Sequence, residues 1–481
     1  MPSFTTASAA HLAALALVFY ALVVAVVAPS TRVPREPSGT RANVLLISID
    51  SLRSDHLHAY GYRRETSPVM DGIGRAGVRF DTMVSASSWT LPAHVTLLTA
   101  QPPVQHEVSS VRTRLSEEVV TLAEVLEAQG YDTAAFVSGP FLRPIYGYDQ
   151  GFDVYDESVV GRGKNAHVGL TSPRLLRLTE DWLSAWKNRT PRQPFFVFLH
   201  MWDPHYDYAP PAPYDTMFDP DYDGDMDGSR FAKNPGVHAG MDPRDLEHIV
   251  ALYDGEIRYT DEHIGRLLDT LREIGVYDET LVVVTSDHGE EFFEHGQKGH
   301  AKTLYEEIVR IPLLLQYPER VPPGQVIEEQ VRLMDVAPTI LGLARVPRPA
   351  GFGTGSRDEH RERDLSPWLA GGAPREAFPR LYGFSSSSLM GKQVAVRSPD
   401  TKLILYENRK GNRRREVFDL EVDSAETRNL SPVGPLPDAA RRLKDEADGW
   451  VAEMSPRQAA VDRMELDRKQ VESLRALGYV E

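Results

Sequence analysis

Five stretches of the chain are apolar at nearly every position: NVLLISID from 43, TAAFVSG near 133, PFFVFLHMW near 194, TLVVVTSDHG near 280 and IPLLLQYP near 311. Short runs of branched and aromatic residues without alternation predict strands buried on both faces. Between them lie segments with apolar residues at helical spacing, SEEVVTLAEVLEAQG and DGEIRYTDEHIGRLLDTLREIG. The first is predicted to begin at Ser116 and to stop at Gly130. Strands alternating with helices predict an α/β fold with a mostly parallel central sheet flanked by helices. From about 345 the texture turns to Pro, Gly and Arg, which reads as a loop. QVAVRSP, TKLILYEN and REVFDLE then predict a small C-terminal antiparallel subdomain turning at Asn408 to Asn412, followed by a charged helical tail that ends LRALGYVE.

The first residues follow a different pattern. LAALALVFYALVVAVVA is seventeen uncharged, mostly apolar residues. As an N-terminal hydrophobic helix it would span about 25 Å, a little less than the roughly 30 Å of a bilayer core. Residues 1–30 therefore read as a transmembrane anchor or signal segment, with 31–41 as a linker. Arg32, Arg35 and Arg41 follow the apolar run, the reverse of a usual signal peptide. The expectation is a membrane-anchored protein whose main domain is exported (periplasmic or extracellular), or a secreted one. The remaining boundaries are 42–375 for the α/β domain and 376–481 for the C-terminal subdomain.

Composition removes several chemistries. The 481 residues contain no cysteine, which excludes disulfides, thiolate catalysis and zinc–thiolate sites. A net charge of −16 argues against a nucleic-acid partner, because neutralising phosphates needs basic stripes.

In parallel sheets, ligands bind beyond the carboxyl ends of the strands. Those positions are Asp50, His200 to His205, and Ser286 to His288. Asp50, Asp287 and His288 form a set able to converge on a hard or borderline cation. In WTLPAH, Thr90 is predicted as a helix N-cap with Pro92 fixing the first turn. A helix N-terminus also offers free N–H groups to an anion, and a hydroxyl there beside a metal could act as a nucleophile. His94 lies one turn on, and His205 and His300 follow strand ends. DPDYDGDMDGSR matches the start of a calcium loop, but its twelfth position is Asn234 and its flanks are not helical, so it reads as an acidic surface loop.

NVLLISIDSLRSDHLHAYGY, WTLPAHVTLLT, HMWDPHYDYAPP, TSDHGEEFFEHGQKGHAKTLYEE and LRALGYVE, in that order, resemble the sulfatase family of the alkaline phosphatase superfamily. EVFDLEVDSAETRNL resembles the family's second subdomain. The resemblance implies an alkaline phosphatase-like fold and one divalent cation: calcium, manganese or zinc, with magnesium also compatible. It implies metal ligands at Asp50, Asp287 and His288, with the nucleophile at Thr90. Ser51 stands where the family commonly has a further acidic ligand. The family's nucleophile is a formylglycine made from Cys or Ser in a C-x-P-x-R type motif; here the slot reads Thr90-Leu91-Pro92-Ala93-His94. The lysine-and-histidine pair expected after the next strand is absent from SGPFLRP. His205 matches the histidine that binds the substrate anion, and His300 falls where a lysine is usual. A second metal would recruit Asp203, His205 and His300, but Asp203-Pro204-His205 lacks the two-metal spacing, so none is expected.

Superfamily members with a Thr nucleophile typically act on phosphorus. The expected function is a hydrolase or transferase that cleaves a phosphate mono- or diester of a small molecule, lipid or glycan by attack of Thr90. A sulfuric ester hydrolase without formylglycine and a non-catalytic binding protein are the alternatives. Recognition of the organic group is expected in the loops 156–175 and 206–245.

Overall fold

The computed structural model describes residues 41–161, 170–354, 361–389, 391–408, 410–431, 434–454, 461–476 and 479. The N-terminal hydrophobic helix and all but Arg41 of the linker lie outside the described residues, as does the middle of the 156–175 loop. Among the described residues no helix is long and apolar enough to cross a membrane.

The strands in chain order are β1 (Asn43–Ile49), β2 (Val78–Val84), β3 (Thr113–Leu115), β4 (Asp132–Val137), β5 (Val154–Asp156), β6 (Phe195–Met201), β7 (Thr280–Ser286), β8 (Glu291–Phe292), β9 (Lys298–Gly299), β10 (Arg310–Gln316), β11 (Gln325–Ile327), β12 (Val331–Arg332), β13 (Gly383–Ser387), β14 (Lys392–Arg397), β15 (Thr401–Glu407), β16 (Arg413–Asp419) and β17 (Val461–Arg463). The central sheet runs β11-β2-β10-β7-β1-β6-β4-β5, with β12 also paired to β2. Its pairings are parallel except those of β10, which lies antiparallel to both β2 and β7. IPLLLQYP thus forms a strand of the sheet, as expected, and it is the antiparallel member of a mostly parallel sheet.

β1, β6 and β7 are buried at every position. Alternate side chains feed two separate cores. Val44, Leu46, Phe196, Phe198, Leu281 and Val283 face one. Leu45, Ile47, Phe195, Val197, Val282 and Val284 face the other. Each such side chain contributes about 1.5–3 kcal/mol of burial, which is why these strands carry no polar face. The second core is closed by the helices Ser172–Lys187 and Pro243–Glu273, the latter begun by the Asp242 side chain accepting from Arg244 N–H. The helix expected from Ser116 begins later, at Leu122. Thr121 and Glu124 form a reciprocal capping box there, and Ser116 belongs to the preceding turn.

β13 to β16 form an antiparallel sheet covered by the helix Asp438–Met454, with the Phe384 and Trp450 rings stacked 4.6 Å apart between them. The tail does not stay with this layer. β17 pairs with β3 of the α/β domain, and Leu474 of the helix Arg468–Ala476 is buried in the first core.

Candidate active site

The parallel register of β1 with β6 and β7 brings three strand ends level. Asp50 follows β1 and donates its N–H to the Met201 carbonyl of β6. Ser51 turns the chain through a left-handed conformation, φ 56°. Its N–H then donates to Asp287 Oδ1 at 3.2 Å and its hydroxyl to Asp50 Oδ1 at 3.0 Å. Ser51 thus orients both carboxylates, as the partners behind metal ligands characteristically do. His288 donates Nδ1–H to the Gly289 carbonyl at 2.9 Å, which leaves Nε2 as the lone-pair nitrogen turned toward the carboxylates.

Asp50, Asp287 and His288 are fully buried, and one ligand atom from each lies within 4.8 Å of the others. Asp287 Oδ2 accepts no hydrogen bond, although His288 Nε2 is 3.2 Å away. Burial pushes the Asp50 carboxyl up to about 6, against the opposing pull of His288. Burial also disfavours charge on His288, but Asp287 and Asp50 outweigh it and raise that ring above its usual range. Two desolvated carboxylates, an orphaned oxygen and an oriented imidazole form a donor set that fits a divalent cation.

Thr90 is not the N-cap. Trp89 occupies that position in extended conformation, and the helix Thr90–Thr99 starts with Thr90 itself. The hydroxyl makes no capping bond and instead lies 3.3 Å from His288 Nε2 and 3.5 Å from Asp50 Oδ2. His94 stands behind it: Nδ1 donates to the Thr90 carbonyl at 3.0 Å and Nε2 accepts from Ser48 Oγ at 2.9 Å. Burial lowers this ring to about 3, so it is neutral and acts as a brace for the first turn.

The other histidines pack around the same group. His200, the penultimate residue of β6, lies with Nε2 3.3 Å from Asp50 Oδ2. It fills the space where the neighbouring strand end carries Gly139, whose absent Cβ would stand 2.7 Å from His200 Cε1. His205 stacks on Trp202 at 3.7 Å and holds its proton on Nδ1 through the Tyr206 carbonyl. His300 packs 4.3 Å from the His288 ring and 4.9 Å from that of His205. Its Nδ1 lies 3.2 Å from Glu290 Oε1 and its Nε2 is 2.6 Å from the Tyr479 hydroxyl.

Asp203 takes another role. Its carboxylate accepts from Thr171 N–H, Thr171 Oγ1 and Ser172 N–H at 2.6–2.8 Å, capping the helix Ser172–Lys187. Sequence reasoning missed Glu290, whose only signal was its place two residues after His288. It also missed Tyr479, which lies within the quoted LRALGYVE but with nothing local to mark it as a site residue.

The chain matches the family model described as Sulfatase over residues 42–346, and that of the N-sulphoglucosamine sulphohydrolase C-terminal region over 294–448. An N-acetylglucosamine-6-O-sulfatase from Bacteroides thetaiotaomicron is 22% identical over 82% of this chain and 84% of its own. A structure solved with its substrate D-glucosamine-2-N,6-O-disulfate superposes with a TM-score of 0.71 at 20% identity, covering 86% of this chain and 98% of that one. A phosphonate monoester hydrolase of Agrobacterium radiobacter gives 0.67 at 20% identity, covering 86% and 96%.

Proposed function

The chain belongs to the sulfatase family of hydrolases, and from that premise we propose that it cleaves a phosphorus ester through the Thr90 hydroxyl. One observation carries the reading: the Thr90 hydroxyl, released from capping, is directed at His288 and Asp50, with His200 and His300 packed against the same group. Threonine cannot become formylglycine, so the elimination that frees sulfate from that group's hydrate has no counterpart here. A phosphorylated threonine can instead be resolved by a second in-line attack of water or an acceptor.

Asp50, Asp287 and His288 would hold a divalent cation, which supplies charge neutralisation at the ester oxygens. The remaining work falls to the chain. His94 and Ser48 hold the first helical turn so that Thr90 Oγ meets the ester centre. The Oγ–phosphorus bond forms as the bond to the leaving oxygen breaks, and the hydroxyl proton is directed toward Asp50 Oδ2. Free N–H groups of the first turn face the developing anion. His205 and the His300–Tyr479 pair line the opposite wall, where the leaving group departs.

Glycan and phosphonate esters are the substrate classes that the relatives' names suggest. A sulfate ester is the second reading, favoured by the resemblance to the N-acetylglucosamine-6-O-sulfatase. The test is side-by-side turnover of aryl phosphate, phosphodiester, phosphonate and sulfate esters by wild type and Thr90→Ala. Loss of phosphorus-ester turnover by about a thousandfold in the variant is the expected result. Sulfate turnover that survives the substitution would transfer the chemistry to direct water attack.

A further inference from the structure

Thr90, Asp50, Asp287 and His288 have no solvent exposure at all. What covers them therefore decides which esters reach the hydroxyl. The cover on one side is Trp202, His205 and Tyr206, all nearly buried. Packed against Trp202, and part of the same wall, is a residue from the far end of the chain. The Tyr479 hydroxyl lies 2.6 Å from His300 Nε2, and its ring meets Phe141 edge-on at 4.5 Å and Trp89, the residue before the nucleophile, at 6.1 Å. Tyr479 is half-buried, so it is the solvent-side member of this wall.

The tail is anchored before it arrives. β17 pairs with β3, Met464 N–H donates to the Arg112 carbonyl, and Leu474 enters the first core. The Tyr479 N–H then donates to the Leu474 carbonyl at 2.9 Å, which ties the ring's position to that buried anchor. A tail held only by its own packing would need no hydroxyl over a site histidine. Its placement there, with both His300 ring nitrogens taken up by Glu290 and Tyr479, gives the tail a share in the site.

We infer that Tyr479 is a specificity-determining residue of this enzyme: the C-terminal tail brings it over the site, where it bounds the room for the leaving group and fixes the His300 ring. The inference rests on the reading of Thr90 as nucleophile, because that sets the side from which the leaving group departs. The ring is the steric boundary and the hydroxyl is the orienting contact, so the two parts separate by substitution.

The experiment compares methyl, phenyl and naphthyl esters of phosphate and of sulfate as substrates for the full chain, its Tyr479→Ala and Tyr479→Phe variants, and Thr90→Ala. In Tyr479→Ala the ratio of kcat/KM for the naphthyl over the methyl ester should rise about tenfold, the scale on which pocket volume discriminates. Tyr479→Phe should keep the wild-type ratio and lose rate on all esters through the unfixed imidazole. A uniform loss across esters in Tyr479→Ala, or an unchanged ratio, overturns the inference while Thr90→Ala still judges the nucleophile. If wild type turns over none of the esters, the reading of Thr90 fails, and calorimetric binding of the same esters to Thr90→Ala with and without Tyr479→Ala decides. A rise in the naphthyl-to-methyl affinity ratio supports the inference; an unchanged ratio, or no binding, overturns it.

Discussion

Asp287 combines two duties. Its Oδ1 accepts from the N–H groups of Ser51 and His288, which fixes the carboxylate, while Oδ2 is left toward Asp50 and His288. Asp287→Asn keeps the size of the group but removes a charge and puts a donor into a cluster that needs acceptors. Elemental analysis should show about one divalent cation per wild-type chain and less than a tenth of that in the variant, with ester turnover falling alongside. Equal metal content in both would remove Asp287 from the ligand set. At this scale the convergence of Asp50, Asp287 and His288 was legible in the sequence, because an ionisable residue that ends a run buried on both faces must emerge at the sheet's edge. Asp203 was not legible. Its spacing before His205 carries no information about the Thr171 and Ser172 amides that it caps from a distant part of the chain.

The elements show a related limit, since a one-residue shift in a helix start changes what a hydroxyl can do. With Trp89 rather than Thr90 as the N-cap, the Thr90 side chain turns from its own backbone to the site. Periodicity locates such helices but fixes their ends only loosely. The helix expected from Ser116 makes the same point, although its true start was written in the sequence. Thr121 and Glu124 have the spacing of a capping box, and Ser116 has no acidic or amide residue three places on. Thr121→Ala should therefore cost about 1 kcal/mol of unfolding free energy, read from urea denaturation, whereas Ser116→Ala should cost a few tenths. Equal costs would contradict the structural assignment. The direction of β10 had no such signal, because an apolar run reads the same whether its neighbours pair with it parallel or antiparallel. β2 has no continuous apolar run to mark it, because Arg79 and Asp81 interrupt its pattern where its side chains are only half-buried.

Across the whole molecule, contacts between distant segments decide what the sequence left open. Tyr479 reaches a site whose Thr90 lies hundreds of positions earlier, and no local pattern encodes that return. The seam between the α/β domain and the C-terminal sheet is similar, because its ionic contacts join residues that no short-range motif links. Lys402 of β15 is fully buried between Glu306 and Glu426, 3.0 Å from each. Beside it, His295 from the β8–β9 turn stacks on Tyr305 at 3.6 Å, pairs with Glu307 at 2.6 Å, and meets the Glu426 carbonyl at 3.2 Å. Burial disfavours the imidazolium, but the Glu307 hydrogen bond and charge overcome it and raise His295 to about 9. A histidine whose folded pKa exceeds its unfolded value stabilises the fold fully below about pH 6.5 and loses that contribution as pH climbs through the folded value. The shift corresponds to about 3.5 kcal/mol at most, since each pKa unit is worth about 1.4 kcal/mol. Unfolding free energy measured in urea from pH 6 to 9.5 should therefore fall more steeply for wild type than for His295→Gln. The buried carboxyls that titrate in the same range contribute to both proteins, so the difference between the two profiles isolates the ring. Parallel profiles would mean that His295 carries no charge at this seam and that its packing on Tyr305 alone holds the turn against the C-terminal layer.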